Sequence, residues 1–281
     1  MAHNIFFNER TGQHSFFSVK ERAWHNLGQV VSDYPTSREA IGFAGLDYEV
    51  RKLPNIHRMA DGTEVVSDNS FFTYRTDNNK VLGDKLGADY EIVQNAEAFT
   101  FFDSIVGGDG ILYETAGALG NGERVFITTK LPSYIKVGGD DVIEKYIFLT
   151  TSHDGSGSIT AAFTPIRIVC QNTLNAALRS ATNLVRIRHT ATAQDKLKEA
   201  HRIMGIANKL SEELDGIFNQ WAKVRITDKE VLKLVQQALA PSKEVLKAVR
   251  TGGELSAVFS NMCNDAFMYA MTAPTQQTET T

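Results

Sequence analysis

The alternation of apolar and polar residues divides the chain into a β-rich first part and a helical last part. Period-two alternation, interrupted by glycine-rich and Asp/Asn-rich turns, predicts a series of antiparallel strands. A strand at Tyr48–Leu53 is closed by Pro54, since proline cannot donate to a sheet ladder. The other predicted strands are Ile56–Met59, Thr63–Val66, Ser70–Arg75, Leu112–Leu119, Arg124–Leu131, Val142–Thr151, Ser158–Phe163 and Leu184–His189.

Helices are predicted where a capping residue precedes apolar residues at three- and four-residue spacing. Thr36 and Glu39 form a capping box for a short helix, and Asn95 caps a second helix at about 96–106. After Thr192 a long helix carries a seam of seven apolar residues. Either another helix of the same chain or a helix of a second subunit is expected to pack on this seam. A helix of the same chain is favoured, because isolated coiled coils are usually longer than this seam. The seam comprises Ala200, Ile203, Ala207, Leu210, Leu214, Ile217 and Trp221.

Three further helices are predicted near the end of the chain. The first begins at a capping box formed by Thr227 and Glu230, the second spans Ser242–Arg250, and the third spans Leu255–Met271. The fold class is therefore α+β: an antiparallel, sheet-rich N-terminal part packed with helices, followed by a long-helix C-terminal part. We predict a mixed core domain over 1–190, a helical region over 191–272 and a disordered tail over 273–281.

The charge of the chain is moderate but unevenly distributed. Net charge is −4 over 281 residues, which argues against a generally basic surface. Residues 1–164 hold 14 Lys and Arg against 22 Asp and Glu, whereas residues 165–281 hold 15 against 11. No apolar run approaches membrane-spanning length, and the first residues lack the basic segment and apolar core that would predict an export signal. We therefore expect a cytoplasmic protein with no membrane partner and with reduced thiols at Cys170 and Cys263.

The stretch from Tyr146 to Ala177 contains the residue types that chemistry would need. A thiol nucleophile at Cys170, with His153 as base and Asp154 orienting it, is one interpretation. A buried structural Cys170 is favoured over it, because the apolar run Ile166–Val169 precedes the thiol. Histidines are scattered without helical pair spacing, so no metal site and no cofactor are expected.

A set of basic residues is the preferred candidate site. Arg167 alternates with Ile166 and Ile168 on a predicted strand, and Arg186 and Arg188 share one face of another. If these side chains converge on one surface, they would bind a nucleic-acid backbone electrostatically. The alternative is that Arg167 pairs with a carboxylate such as Asp154, while the others solvate an edge strand. The candidate residues are Arg167, Arg179, Arg186 and Arg188, extended by Lys130 and Lys136, with stacking faces at Phe71, Phe72 or Tyr74.

Five motifs occur in an order and spacing that resemble one known family. They are Trp24–Gly28, Ala44–Val50, Tyr90–Asn95, Thr115–Leu119 and Phe163–Asn175. Together they are similar to the phage/plasmid-like protein family that carries the domain of unknown function 932, over about residues 20–270. The segment Asn264–Phe267 matches the family pattern only loosely.

The resemblance implies a mobile-element origin and a bacterial cytoplasm, without a known activity. The layout of a sheet followed by a long helix is also similar to phage single-strand annealing proteins. The leading hypothesis is a non-catalytic, oligomeric protein that binds nucleic acid, with single-stranded DNA favoured, in recombination or replication. The alternatives are an enzyme that uses Cys170 and His153, and a protein-binding module that counters a host defence.

Overall fold

A seven-stranded sheet forms the centre of the computed structural model, which describes residues 3–106, 112–138, 141–181, 184–190 and 213–272. Its strands are β3 (Phe16–Val19), β4 (Gln29–Val31), β8 (Leu112–Leu119), β9 (Arg124–Val137), β10 (Asp141–Ser152), β11 (Ile159–Thr164) and β12 (Leu184–Ile187). They lie in the order β12-β11-β10-β9-β8-β3-β4. β8 pairs antiparallel with β9, and β11 pairs antiparallel with β10 and β12, whereas β3 and β4 pair in parallel.

The N-terminal segment forms three short strands. A short ribbon pairs β1 (Phe7–Asn8) with β2 (Gln13–His14), and β3 follows at once to pair with β8. Phe16 and Phe17 on β3 are fully buried. The segment before Trp24 therefore contributes a strand to the main sheet.

A second sheet of three strands consists of β5 (Val50–Arg58), β6 (Glu64–Arg75) and β7 (Val81–Leu86). The predicted hairpin at Asp61 and Gly62 is confirmed, but Pro54 does not end a strand. It lies inside β5, opposite Phe71. Because β5 is an edge strand, one of its sides has no neighbouring strand. The N–H that proline lacks is not needed for pairing on that side. A register shift after Pro54 gives the strand a bulge.

Three helices are described in the part of the chain that contains both sheets. They are α1 (Ser37–Phe43), α2 (Asn95–Val106) and α3 (Gln171–Ser180). The Thr36 capping box is present, with Thr36 N–H donating to Glu39 at 2.9 Å. The segment Ile166–Cys170 is not a strand, contrary to the expectation, because Cys170 already provides the N-cap of α3. Leu174 and Ala177 of α3 pack with Phe148 and Ala162 in the core.

The chain divides into two compact units, and the second combines Ile135–Ile143 with Glu213–Thr281. Its described residues form four helices: α4 (213–221), α5 (Asp228–Leu239), α6 (Lys243–Thr251) and α7 (Ala257–Thr272). A small core of Val249, Phe259 and Cys263 holds the last three together. The predicted Thr192 helix start and the seam from Ala200 to Leu210 lie outside the described residues. No helix among the described residues is long and apolar enough to cross a membrane.

The α+β fold class predicted from the sequence is confirmed. The capping box at Thr227 is present, since Thr227 N–H donates to the Glu230 carboxylate at 2.7 Å. Ser242 caps α6, and Gly252 ends it in the left-handed conformation that favours glycine. Helices α5 and α6 therefore begin directly after the capping residues that the sequence indicated, whereas α7 begins at Ala257, two residues after its predicted start.

Candidate nucleic-acid interface

A cavity of about 640 Å³ lies on one face of the seven-stranded sheet, at the end of α3. The registers of β10, β11 and β12 explain its position. Phe148, Ala162 and Leu184 form one cross-strand row, which α3 covers. The next row along the strands is Thr150, Thr160 and Arg186, and all three line the cavity. The same sheet face therefore changes from apolar to polar where Leu178 of α3 forms the cavity wall.

Three arginines converge on this cavity from two strands and the segment that follows one of them. Arg186 belongs to β12, Arg188 follows two residues later, and Arg124 begins β9. Arg186 and Arg188 are exposed, and neither forms an ion pair with a described carboxylate. Asp89 is the only carboxylate among the described residues that line the cavity. The site is therefore electropositive although the chain as a whole is acidic.

Most hydroxyl groups on the cavity floor already donate a hydrogen bond within the protein. Thr150 Oγ1 donates to the carbonyl of Val125 at 2.9 Å, and Thr160 Oγ1 donates to the carbonyl of Ser158 at 3.3 Å. Their oxygens keep acceptor capacity, while the guanidinium groups supply donors in a fixed fork. A ligand that fits this arrangement carries anionic acceptors and hydroxyl or amino donors, as a nucleotide does.

An aromatic pair forms another side of the cavity. The rings of Tyr90 and His189 stack with centroids 5.0 Å apart, and Tyr90 Oη donates to the carbonyl of Ser152 at 2.8 Å. His189 Nε2 shares a hydrogen bond with Thr151 Oγ1 at 3.2 Å. Burial lowers the pKa of His189, so its imidazole is neutral at neutral pH. Positive charge in this cavity therefore comes from the arginines.

The loop from His153 to Gly157 borders the cavity and is held from two sides. Ser152 Oγ accepts from Gly157 N–H at 2.9 Å and donates to the Gly157 carbonyl at 3.1 Å. From the second sheet, Gly83 of β7 approaches so closely that a Cβ there would lie 2.5 Å from the Cα of Asp154. The contact requires glycine, because the neighbouring atom belongs to the backbone and cannot rotate away.

Replacing Gly83 by Ala is expected to lower the free energy of unfolding by about 1–3 kcal/mol, the usual cost of forcing backbone apart in a packed region. Chemical denaturation measures this change. The matched control is Gly42→Ala in α1, where a Cβ meets nothing within 4 Å and a helix gains about 0.5–1 kcal/mol from alanine. Equal effects of the two substitutions would contradict the close approach at Gly83.

The remaining basic residues of the predicted set do not line the cavity. Arg167 donates through Nη2 to Glu114 Oε1 at 2.7 Å and to the carbonyl of Val19 at 3.0 Å. Its carboxylate partners are thus Glu114 and, through Nη1 at 3.8 Å, Glu21, rather than Asp154. Lys130 is bonded to Glu144, whereas Arg179 and Lys136 are exposed outside the cavity. Of the six candidates, the structure brings only Arg186 and Arg188 together in this cavity, and it adds Arg124.

The proposed thiol site does not form a hydrogen-bonded unit. Cys170 Sγ contacts Thr173 Oγ1 at 3.5 Å, whereas His153 Nε2 bonds to Asn95 Oδ1 at 3.0 Å. Both Cys170 and His153 are buried, and burial lowers the pKa of His153 to about 3. Asp154 Oδ1 accepts from Ser156 N–H at 2.9 Å. A base with so low a pKa is poorly matched to activating a thiol at neutral pH.

Comparison with known proteins gave a single result. The family model of a domain of unknown function, DUF932, matches residues 84–281. This range contains the motifs Tyr90–Asn95, Thr115–Leu119 and Phe163–Asn175, whereas the two earlier motifs precede it. The comparisons with curated proteins and with solved structures gave no match. All the cavity-lining residues lie within the matched range.

Proposed function

The chain belongs to the DUF932 family, and from the geometry of its cavity we propose that it binds a nucleic-acid strand through the backbone phosphates. The observation that supports this is the convergence of Arg124, Arg186 and Arg188 on one cavity with little opposing charge. Guanidinium groups bind phosphate bidentately, and such interactions supply most of the affinity for nucleic acids.

A single strand fits the cavity better than a duplex does. The floor lies between the end of α3 and the loop at Gly155, so a ligand enters between two walls. A flexible strand can turn its phosphates toward the arginines and its sugar or base donors toward the threonine oxygens. A duplex presents its phosphates on a stiff convex surface. The role in recombination or replication belongs to the same proposal, since those processes expose single strands.

The test is binding of a labelled single strand and of a duplex over a series of salt concentrations. Arg186→Ala/Arg188→Ala is expected to weaken binding of the single strand by about 10- to 100-fold at low salt. The slope of log affinity against log salt is expected to become shallower by about 1.4, because two phosphates of the single strand are no longer neutralised. Both arginines are exposed, so the double variant should fold.

The matched control is Arg179→Ala/Lys136→Ala, which removes the same charge from exposed positions outside the cavity. Its affinity and salt slope are expected to stay close to those of the unchanged protein. Equal weakening by the two double variants would show that only net charge matters and would overturn the assignment of the cavity. Absence of binding at low salt would overturn the proposed function itself.

A further inference from the structure

The cavity at the end of α3 has the size of a site for one or two nucleotides. Its volume is about 640 Å³. Pockets that hold small molecules measure about 300–1,000 Å³, whereas grooves that follow a single strand cover about 4–16 nucleotides. Leu178 of α3, the loop at Gly155 and the stacked rings of Tyr90 and His189 all border the cavity. This size suits the end of a strand better than a strand that passes across the protein.

The charge of the cavity matches a phosphate monoester more closely than a phosphate diester. Of the described residues that line it, Arg124, Arg186 and Arg188 carry three positive charges and Asp89 carries one negative charge, which leaves +2. His189 adds no charge, because burial lowers the pKa of its imidazole. A phosphate monoester carries about −1.5 to −2 at neutral pH, whereas an internal phosphate of a strand carries a single negative charge. A terminal phosphate therefore nearly balances the cavity by itself.

The arginines reach the cavity from opposite sides. Arg186 lies on β12 and Arg188 follows it, whereas Arg124 begins β9, three places away in the sheet. At the usual spacing between strands, their backbones are about 14 Å apart. Two extended arginine side chains span this distance when a phosphate lies between them. Guanidinium groups that approach from opposite sides contact different oxygens of one phosphate.

Arg124 keeps most of its donors for a ligand. Its Nη2 lies 3.5 Å from Ser156 Oγ, which is the one hydrogen bond of this side chain within the part of the protein that the structure describes. A guanidinium group has five N–H donors. The nearby carboxylate of Asp154 does not line the cavity, and its Oδ1 accepts from Ser156 N–H at 2.9 Å. Arg124 is thus held at the loop by a long hydrogen bond to a neutral partner.

We infer that the cavity binds the end of a nucleic-acid strand by its terminal phosphate monoester, with Arg124 on one side of the phosphate and Arg186 and Arg188 on the other. This inference rests on the proposed function and identifies the part of the strand that enters the cavity. A monoester offers three acceptor oxygens, so guanidinium groups from two directions each find a partner. The same group occurs in a 5′-phosphate, a 3′-phosphate and a free mononucleotide.

The test compares three forms of one internally labelled single strand: with a 5′-phosphate, with a 3′-phosphate, and with hydroxyl groups at both ends. One phosphorylated form is expected to bind about 10- to 100-fold more tightly than the unphosphorylated strand, because it adds charge-assisted hydrogen bonds to the arginines. The form that binds tightly identifies the end. An unlabelled mononucleotide is expected to compete less well than that strand, and equal competition would overturn a strand as the ligand.

Arg124→Gln is expected to reduce the preference for the phosphorylated strand to less than about threefold, because the phosphate is then bound from one side only. The matched control Arg179→Ala/Lys136→Ala removes charge outside the cavity and is expected to keep the full preference. The ratio of affinities is taken within each variant, so a general loss of positive charge cancels. Circular dichroism confirms folding, and Arg188→Gln at an exposed position provides a second measurement.

The outcomes separate this inference from the proposed function. Equal affinities for the three strands, with binding still weakened in Arg186→Ala/Arg188→Ala, would overturn the role of the terminal phosphate and leave the proposed function standing. Absence of binding by every strand at low salt would overturn both. A preference that persists in Arg124→Gln and in Arg188→Gln would mean that the terminal phosphate binds elsewhere, which overturns its assignment to the cavity.

Discussion

Replacing Arg75 by Met is expected to lower the free energy of unfolding by about 3–5 kcal/mol, a large part of the 5–15 kcal/mol typical of folded domains. The guanidinium of Arg75 is almost fully buried and bonds bidentately to Asp77, at 3.0 and 2.8 Å. It also donates to the Asn121 carbonyl at 3.1 Å and lies 3.7 Å from the ring centre of Tyr48. Without Arg75, the Asp77 carboxylate loses its partner and the carbonyl of Asn121 loses a donor.

The chain supplies a matched control for this substitution. Arg51 also pairs with a carboxylate two residues away, Glu49, but both side chains are about two-thirds exposed. Arg51→Met is therefore expected to change stability by no more than about 0.5 kcal/mol. Urea denaturation of the two variants measures the difference. Similar losses of stability in both would mean that burial does not control the contribution of Arg75.

Acid is expected to destabilise the protein through His153. Burial lowers the pKa of His153 to about 3 in the folded state, against about 6.5 in an unfolded chain. Between these values the unfolded chain binds the proton and the folded protein does not. Stability is therefore greatest above pH 6.5 and falls as pH decreases, by about 3 kcal/mol between pH 6.5 and pH 4 from this residue.

The physical reason is the surroundings of the imidazole. Asn95 Nδ2 donates to the Leu46 carbonyl, which directs Asn95 Oδ1 toward His153 Nε2. The neutral ring therefore carries its proton on Nε2, and buried Nδ1 has no partner among the described residues. A second proton on Nδ1 would place a charge in the core without an acceptor.

His153→Gln isolates this contribution, because glutamine keeps a donor for Asn95 but does not titrate near neutral pH. The free energy of unfolding, measured from pH 7 to pH 4, is expected to fall less steeply in the variant. The difference in slope corresponds to the uptake of at most one proton on unfolding. Burial also lowers the pKa values of His25 and His189, but they titrate in both proteins and cancel in the comparison. Parallel pH profiles would contradict the low pKa of His153.

Local patterns predicted most of the elements because those elements depend on neighbouring residues. The capping boxes at Thr36 and Thr227 and the turn at Asp61–Gly62 act within four residues, so the sequence displays them directly. Pro54 is a case in which context decided the outcome. Its effect depends on whether β5 has a neighbour on both sides, which is a property of the whole sheet.

The candidate site was predictable only in part, since it depends on which strands become neighbours. Alternation in β12 correctly placed Arg186 and Arg188 on one side of their segment. Arg124 lines the same cavity although β9 lies three places from β12 in the sheet. Only the order of the strands brings these residues together. Arg167 lies outside the cavity because its guanidinium pairs with buried Glu114 of β8. The sequence around Arg167 does not reveal this partner. Ion pairing of this kind is decided by the tertiary fold.

The edges of the sheets bear on how the protein avoids aggregation. The seven-stranded sheet ends in β4, three residues long, and β12, four residues long, while its longest strands, β9 and β10, are internal. The edge strand β5 carries a proline and a bulge. Short, charged or interrupted edges offer a poor template for another chain's backbone. Besides its proposed contact with nucleic acid, Arg186 is expected to have a second effect, because charge on an edge strand protects the concentrated protein from growing into fibres.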